Sequence, residues 1–511
     1  MLSTRNRHNR STYRARAVAP RGRPGDRAKG LAPVANATAA AGVRHAGAHP
    51  LVRARENSHL YNYESGVKQA FDSIVPALRQ ISALQHEADF ERQAQALARA
   101  HLGFELPQVL LEDAWVEQLD MRSLFAWCVF ETYRRMCDEV FTSDRLGDNS
   151  DEQFQALLQD CGFHLLDVSP CADGRLAHVI RYVLRLPYKA VRRRSYAGAM
   201  FDIEDSLGKW VKTELVRYRE GRPNMADEPT RYLKAVVYHY SSVDPEHQGC
   251  AAHGSDTRKA AQGGVDRLLG FQQAVQNTHC CGASIDCLLI GMDTDTDSIR
   301  IHMPDASGGI DLENHIDTLD VYDATLHLSA SQAGQWIVER VRERGGSELA
   351  DGMARFIAYL LTNNLSQVEY VRSYYGGNYS DIGHAERFIG AGIGFEEVQL
   401  RNLTFFSYMN TVEEAARDLD VGISIFTGLN VAHGLPVPIV VRFDYHGNVP
   451  GARYRAEEHC HRVADALHTR YRELSERGLL HTLQVMRDIN IPGQLETLDC
   501  SVKTSLAAGA H

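Results

Sequence analysis

The segment Leu165-Leu166-Asp167-Val168-Ser169-Pro170-Cys171-Ala172-Asp173-Gly174-Arg175 is an apolar run that passes through a proline into a turn. The run predicts a buried strand, and Cys171, Asp173 and Arg175 occupy alternate positions just after it. In an extended chain such positions point the same way, and the carboxyl edge of an α/β sheet is where ligands bind. A thiolate can bind zinc, a carboxylate can accept a hydrogen bond from water, and a guanidinium can clamp that carboxylate. This short pattern also occurs by chance, so it needs support from elsewhere in the chain.

A second apolar run supplies that support. Residues 235–240 predict another buried strand, which carries His239 near its end, and Cys250 follows in the next loop. Two cysteines and one histidine make a three-ligand zinc site whose fourth position is open, the pattern of catalytic zinc. A structural zinc site would need a fourth protein ligand, and three nearby side chains are candidates: His253, Cys280 and Cys281.

Around these strands, short apolar runs alternate with helical periodicity. This alternation predicts an α/β fold in which helices cover a sheet. The predicted strands are 163–168, 235–240, 285–291, 299–303 and 438–444, and the predicted helices are 256–275, 331–343, 347–362 and 456–476.

Upstream, apolar residues recur at spacings of three and four, as from Val67 to Ile81 and from Phe90 to His101, which predicts helices. We therefore expect four parts in the chain. They are a disordered basic tail at 1–56, an all-helical domain at 57–160, a zinc catalytic domain at 161–400 and a C-terminal domain at 401–511. The last boundary is open within about 330–400.

Composition restricts the class of protein. The chain has 511 residues, 44% of them hydrophobic, which suits about three globular domains. No apolar run approaches the roughly 18 residues that span a bilayer, so we expect no membrane-spanning segment. The ten cysteines are irregularly spaced, which favours reduced thiols and one metal site over a disulfide scaffold.

The first 55 residues hold twelve Lys and Arg against one acid, Asp26, whereas the remainder holds 43 basic and 64 acidic residues. Such a segment buries too little apolar surface to fold, so it is predicted to be disordered. Four roles compete: a nucleic-acid arm, an organellar transit peptide, a tether to an acidic protein surface, and a solvated tail without a specific role. The acidic body would repel phosphate, which disfavours nucleic acid as a partner.

Another basic run, Lys189 to Arg194, is most simply a solvated surface. The alternative is a site for an anionic effector such as a sugar phosphate.

Several longer strings resemble the carboxysome shell carbonic anhydrases, a divergent branch of the β-class carbonic anhydrases. The resemblance covers residues 57–495. The strings are CADGR (171–175), YAGAMFDIED (196–205), YHYSS (238–242), GCAAHG (249–254), HCCGASID (279–286) and DIGHAERF (381–388). Ten residues separate His239 from Cys250, whereas two separate the corresponding ligands of ordinary β-class enzymes, and this departure fits the branch.

The resemblance implies a β-class-like α/β catalytic domain followed by a degenerate duplicated α/β domain without metal ligands. It makes Cys171, His239 and Cys250 the ligands of one zinc ion per chain, and Asp173 and Arg175 the dyad beside the metal. The reaction would be reversible hydration of carbon dioxide to bicarbonate. Two thiolates give zinc more negative charge than imidazoles do, so activity is expected to rise towards alkaline pH.

The resemblance also implies a location and partners. It places the protein in the lumen of the carboxysome, at the inner face of the shell, within the bacterial cytoplasm. There it would supply carbon dioxide to Rubisco as a homodimer or a higher assembly of dimers. The basic tail would then attach the enzyme to shell proteins or Rubisco.

Two further expectations concern single features. His384, within DIGHAERF, is a candidate to contact bicarbonate or to shuttle protons, because an imidazole titrates near neutral pH. Ala197 and Gly198 are expected to pack tightly beneath the zinc site. The alternative to the enzyme is a non-catalytic carboxysome organiser with a structural zinc, against which the intact pair of Asp173 and Arg175 argues.

Overall fold

The structure is a computed structural model that describes residues 49–112, 114, 118–141, 151–187, 190–225, 229–278, 284–395, 397–491 and 495–502. Most of the predicted basic tail, together with Lys189, Cys280 and Cys281, lies outside the described residues. The expectation that the tail extends to residue 56 is wrong at its end. Helix α1 begins at Ala54, and Nε2 of His49 lies 2.8 Å from the Thr325 hydroxyl.

The described residues of the N-terminal region form six α-helices. They are α1 (Ala54–Asp72), α2 (Ile74–Ala83), α3 (Phe90–His101), α4 (Gln108–Glu112), α5 (Met121–Glu139) and α6 (Asp151–Asp160). The predicted periodicity from Val67 to Ile81 divides between α1 and α2. Pro76 explains the break, because it has no N–H to donate to a carbonyl of the preceding turn. The Asp120 carboxylate caps α5 by accepting from the backbone N–H groups of Arg122 and Ser123.

The first sheet has the order β2-β1-β3-β4-β5-β6. Strands β2, β1, β3 and β4 are parallel, and β5 and β6 are antiparallel additions. Its strands and helices are β1 (Leu165–Pro170), β2 (Arg192–Arg193), α7 (Ile203–Arg219), β3 (Arg231–Tyr240), α8 (Thr257–Thr278), β4 (Ser284–Asp293), β5 (Ile299–Pro304), β6 (Ile310–Asp317), α9 (Thr318–Thr325), α10 (Ala330–Gly345) and α11 (Asp351–Tyr375). The predicted strands match β1, β3, β4 and β5, and the apolar runs of the parallel strands β1, β3 and β4 are buried as parallel sheets require.

The second sheet has the order β11-β10-β9-β7-β8. Its elements are β7 (Phe388–Gly392), β8 (Thr404–Ser407), α12 (Ala416–Leu429), β9 (Val437–Arg442), α13 (Ala452–Arg470), α14 (Arg472–Glu476), β10 (Leu480–Met486) and β11 (Glu496–Cys500). Strand β7 is parallel to β8 and β9, β9 is parallel to β10, and β11 is antiparallel to β10. Because β7 begins at Phe388, this sheet starts upstream of residue 401, inside the interval that the sequence left open.

The two sheets share one topology. Strands β8, β7, β9, β10 and β11 follow the same order and directions as β2, β1, β3, β4 and β5. The helices correspond as well, since α12 and α13 occupy the places of α7 and α8 in the chain. The expected second α/β domain is therefore confirmed, and its topology is that of a duplicate. We call the two parts the first unit and the second unit.

The N-terminal helices share a hydrophobic core with the second unit. Tyr133 of α5 packs against Phe388 of β7, with ring centroids 5.0 Å apart. Nearby, the fully buried Arg442 donates to both carboxylate oxygens of Asp444 at 2.8 and 2.7 Å and to Glu397 at 2.6 Å. Its Nη1 also donates to the Tyr133 hydroxyl at 3.1 Å, which ties the helices to the sheet.

We expect Arg442→Ala to lower the free energy of unfolding by about 3 kcal/mol, because it leaves the partly buried Asp444 carboxylate without its bidentate partner and Glu397 with Arg487 alone. Denaturant-induced unfolding measures this loss. Arg453→Ala is the control, since Arg453 makes an exposed ion pair with Glu457, and it should cost far less. Equal losses in both variants would contradict this role of Arg442.

Candidate active site

The carboxyl ends of β1 and β3 bring the predicted ligands together. Pro170 pairs with Val237, and the Cys171 N–H continues the ladder by donating to the Val237 carbonyl at 3.1 Å. Cys171 thereby lies beside His239, two residues further along β3. The loop after β3 then returns Cys250 to the same place.

Local backbone geometry explains that return. Gly249 precedes Cys250, and a Cβ on it would lie 2.7 Å from the Ser255 carbonyl oxygen. The Cys250 carbonyl accepts from the N–H groups of His253 and Ser255, which closes a tight turn before α8. Glycine is therefore required where the loop folds back on itself.

The donor atoms of Cys171, His239 and Cys250 all lie within 4.8 Å of one another, and all three side chains are buried. Nδ1 of His239 is buried without a hydrogen-bond partner among the described residues. Two thiols and an imidazole at this separation are a donor set that suits zinc. The residues present therefore fit the metal that the sequence predicts.

Mutual contacts shift the pKa values of this set. The hydrogen bond between the two thiols raises the pKa of Cys171 and lowers that of Cys250. Burial alone would lower the pKa of His239, but the Asp173 carboxylate and the Cys171 thiol outweigh burial and raise it to about 9. The set thus behaves as one coupled cluster of groups.

Of the three candidates for a fourth ligand, the structure describes one, His253. Nε2 of His253 donates to the Gly198 carbonyl at 3.1 Å, and His253 is not among the converging donors of the described residues. Cys280 and Cys281 lie outside the described residues. The convergent set described by the structure has three members.

Asp173 and Arg175 form a bidentate ion pair. Nε and Nη2 of Arg175 donate to the two carboxylate oxygens at 3.0 and 2.7 Å. Burial alone would raise the pKa of Asp173, but Arg175, His384 and His239 outweigh it and hold it well below its usual range. Asp173 is therefore ionised at neutral pH and can only accept hydrogen bonds.

The local conformation of this pair differs from the predicted extended chain. Residues Gly174–Leu176 form a 3-10 turn, and the Asp173 side chain caps it by accepting the Arg175 N–H at 2.9 Å. The two side chains meet through this turn. The prediction of alternate positions in an extended segment is therefore wrong, although the predicted pair forms.

His384 reaches the site from the loop between α11 and β7. Its Nε2 lies 3.7 Å from Oδ2 of Asp173, and its Nδ1 lies 2.9 Å from Oε1 of Glu386. Burial alone would lower the pKa of His384, but the carboxylates of Asp173 and Glu386 raise it overall. The structure thus brings together all six predicted site residues.

Glu386 was not predicted. It is buried, and its Oε1 also accepts the Gly174 N–H at 3.1 Å. A Cβ on Gly174 would lie 2.4 Å from Cγ of Glu386, so only glycine allows this approach. The carboxylate holds the Nδ1 side of His384, which leaves Nε2 facing Asp173.

A cavity beside these groups is lined on one side by the second unit. Phe405 of β8 and Val421 and Ile425 of α12 supply the apolar part of a lining that also includes Cys171 and His239. Such an apolar wall suits a small apolar molecule better than a charged one. No residue of the second unit had been predicted to line the site from composition or spacing.

The basic run before α7 differs from its expected solvated state. Arg194 pairs with Asp205 at 2.7 Å, and Arg193 donates to the Ala177 carbonyl at 2.9 Å. Arg193 and Arg194 line a cavity of about 510 Å³ together with Lys209. Arg192, Arg193 and Arg194 are therefore partly buried rather than solvated, and a cavity with basic side chains in its lining is what the anion alternative requires.

Comparison with known proteins agrees with this arrangement. Three domain models of the carboxysome shell carbonic anhydrases match the chain: the N-terminal domain over residues 49–141, the catalytic domain over 153–384 and the C-terminal domain over 385–502. Carboxysome shell carbonic anhydrases of Prochlorococcus marinus, Parasynechococcus marenigrum and Halothiobacillus neapolitanus are 57%, 54% and 45% identical to it. The alignments cover 86%, 90% and 84% of this chain and 86%, 80% and 86% of those proteins.

The site, the catalytic-domain match and these relatives define an enzyme of the carbonic anhydrase class. More particularly, the chain belongs to the carboxysome shell carbonic anhydrase family. Among the described residues, no helix combines the length and apolarity needed to cross a bilayer.

We expect Glu386→Ala to lower turnover roughly 10-fold, the low end of the losses seen when a carboxylate that orients an active-site histidine is removed. Glu386→Gln should retain most of the activity, because its amide oxygen can still accept from Gly174 and His384. Steady-state kinetics of both variants measure this difference. Equal activity of the alanine variant and the unmodified enzyme would exclude a positioning role for Glu386.

Proposed function

We propose that the protein is a zinc-dependent enzyme that interconverts carbon dioxide and bicarbonate inside the carboxysome and supplies carbon dioxide to Rubisco. One observation carries the proposal: a buried Cys171–His239–Cys250 set lies beside an Asp173 carboxylate that Arg175 holds in place. A purely structural metal site has no need of that ion pair. The non-catalytic organiser is therefore the weaker alternative.

One zinc ion per chain would be held by Cys171, His239 and Cys250. Zinc held there would lower the pKa of water from 15.7 towards roughly 7 and so supply a nucleophile, and the charge of two thiolates would leave that pKa above the value of an all-imidazole site. The burial of all three side chains keeps bulk water from competing for the ligands.

The Asp173 carboxylate orients the nucleophile. Because it only accepts hydrogen bonds, a water or hydroxide beside it must direct its proton to Asp173 and an oxygen lone pair elsewhere. Arg175 prevents the carboxylate from turning towards the cysteines, since both of its oxygens are bound. Nη1 of Arg175 is itself fixed by the carbonyls of Gln248 and Ile382 at 2.6 and 3.1 Å.

His384 is the group that we assign to proton movement between the site and solvent. It faces Asp173 on one side, and its side chain is 21% exposed, whereas that of Asp173 is 4% exposed. The carboxylates of Asp173 and Glu386 raise the pKa of His384 above its ordinary value, so the imidazole takes up a proton more readily at neutral pH. The apolar wall of Phe405, Val421 and Ile425 would face carbon dioxide.

Zinc content and the rate of carbon dioxide hydration, measured on the intact protein and on Asp173→Ala, test this proposal. We expect zinc in both, and a rate about 100-fold or more lower in the variant, as for the loss of a group that manages a proton. Asp286→Ala is the control, because Asp286 makes a similar pair with Arg231 at the opposite end of β3. Zinc in the intact protein without activity would favour a structural metal.

The names of the relatives support a place at the carboxysome shell. An enzyme that feeds Rubisco must be retained near it, and a long basic segment can bind acidic protein surfaces through many weak contacts. We assign this attachment to residues 1–48, with shell proteins or Rubisco as partners. Assembly as a homodimer, or as a group of dimers, would multiply the number of tails and strengthen retention.

Removal of residues 1–48 should leave hydration activity unchanged and abolish packaging into carboxysomes. The truncation must end there because His49 contacts Thr325 in the folded body. A matched variant replaces the ten Lys and Arg of this segment by Gln and keeps its length. Co-purification with carboxysomes measures packaging, and normal packaging of both variants would contradict the role of the tail.

A further inference from the structure

We propose that Asp418, on α12 of the second unit, is a positioning residue for the zinc site of the first unit. Its carboxylate accepts the Ala197 N–H at 2.8 Å. It thereby holds the turn in which the next residue, Gly198, donates its N–H to the Cys171 sulfur at 3.3 Å. The inference rests on the proposed function, because it treats Cys171 as a zinc ligand.

The turn of residues 196–201 does not adopt a conformation that its residues prefer. Gly198 has a φ of 67°, and the non-glycine Ala199 has a φ of 57°. A residue with a side chain pays a conformational cost in this left-handed region and stays there only when its surroundings impose it. External contacts must therefore fix the turn.

Three sets of contacts do so. Tyr196 extends the ladder beside β1, because its N–H donates to Pro170 and its carbonyl accepts from Ala172. His253 donates to the Gly198 carbonyl at 3.1 Å, and a Cβ on Gly198 would lie 2.8 Å from that ring nitrogen. Asp418 of the second unit makes the third contact. It accepts the N–H of Ala197, the residue directly before Gly198, whose N–H donates to the Cys171 sulfur.

The hydrogen bond from Gly198 acts on the thiolate. A sulfur that accepts an N–H donates less charge to a metal and is fixed in direction, which is how outer partners tune a metal site. Loss of the Asp418 contact would free the Ala197 amide and loosen the neighbouring Gly198 amide. Cys171 would then lose both its orientation and its charge compensation.

Asp418 suits this role through its oxygen rather than its charge. It lies in the first turn of α12 and is 9% exposed, at the contact between the units. Burial raises the pKa of its carboxyl group, and both the charged and the neutral form keep an oxygen that accepts the Ala197 N–H. An asparagine amide oxygen offers the same acceptor without a charge.

The test compares Asp418→Ala, Asp418→Asn and the unmodified full-length protein. The zinc dissociation constant is measured by competition with a chelator, and the sulfur-to-metal charge-transfer band is recorded after cobalt substitution. We expect Asp418→Ala to raise the dissociation constant roughly 10-fold and to move the band to longer wavelength, because the thiolate is less stabilised. Asp418→Asn should remain close to the unmodified protein in both measurements.

Asp420→Ala is the matched control, since Asp420 lies on the same helix but binds Arg470 and Tyr471. It should change neither measurement. If Asp418→Ala does not fold, Asp418→Glu, which displaces the carboxylate by one methylene, replaces it with the same expected direction.

The outcomes are distinct. An unchanged band and affinity in Asp418→Ala, an equal effect in Asp420→Ala, or an equal effect in Asp418→Asn would each overturn the inference. Absence of zinc binding in the unmodified protein would instead overturn the proposed function.

Discussion

No part of the Arg175 side chain is exposed to solvent, and a cation removed from water needs acceptors around it. Asp173 supplies two of them, and the carbonyls of Gln248 and Ile382 supply two more. These partners belong to the loop after β1, the loop before Cys250 and the loop before β7. The buried Arg175 guanidinium therefore bonds to each of the loops that carry Cys171, Cys250 and His384, and these bonds hold the three loops together. The geometry of the site depends on that convergence.

The duplicated topology shows how the same framework supports two different chemistries. At the carboxyl edge of the first sheet, β1 and β3 present thiols and an imidazole. Near the end of β9, the strand that corresponds to β3, the second unit buries Arg442 with Asp444 and Glu397. A closed ion cluster there leaves no set of converging metal donors among the described residues of the second unit. Its polar groups hold the helical region in place, whereas those of the first unit form the site.

The features that could be predicted from the sequence are those whose residues lie close together in the chain. Cys171, Asp173 and Arg175 were predicted because they lie within five residues, next to an apolar strand. His239 and Cys250 were candidates because they follow the next apolar strand, and the family resemblance completed the candidate ligand set. Strand β7 was not predicted, since it is short and contains two glycines. Gly392 is needed there because a Cβ would lie 2.2 Å from the Arg442 carbonyl oxygen. Glycine at this position therefore reflects the close packing of β7 against β9.

Glu386 and Asp418 escaped prediction for a different reason. Each acts through a backbone N–H that lies more than 200 residues away in the chain, at Gly174 and at Ala197. Almost every residue carries a backbone N–H, so the sequence does not show which one donates to a distant carboxylate. These contacts also form only when the two units pack together. Sequence spacing describes which side chains share a strand end, but not which amides a distant carboxylate reaches.

The five-residue string CADGR contains residues that supply chemical groups to the site and residues that pack against the second unit. Its first, third and fifth residues supply the thiol, the carboxylate and the guanidinium. Its second, Ala172, is 1% exposed and packs in the core of the second unit. Its fourth, Gly174, leaves room for Glu386, which reaches it from the start of that unit. The residues between the chemical groups are small because the second unit lies directly against them, so that unit is part of what defines this motif.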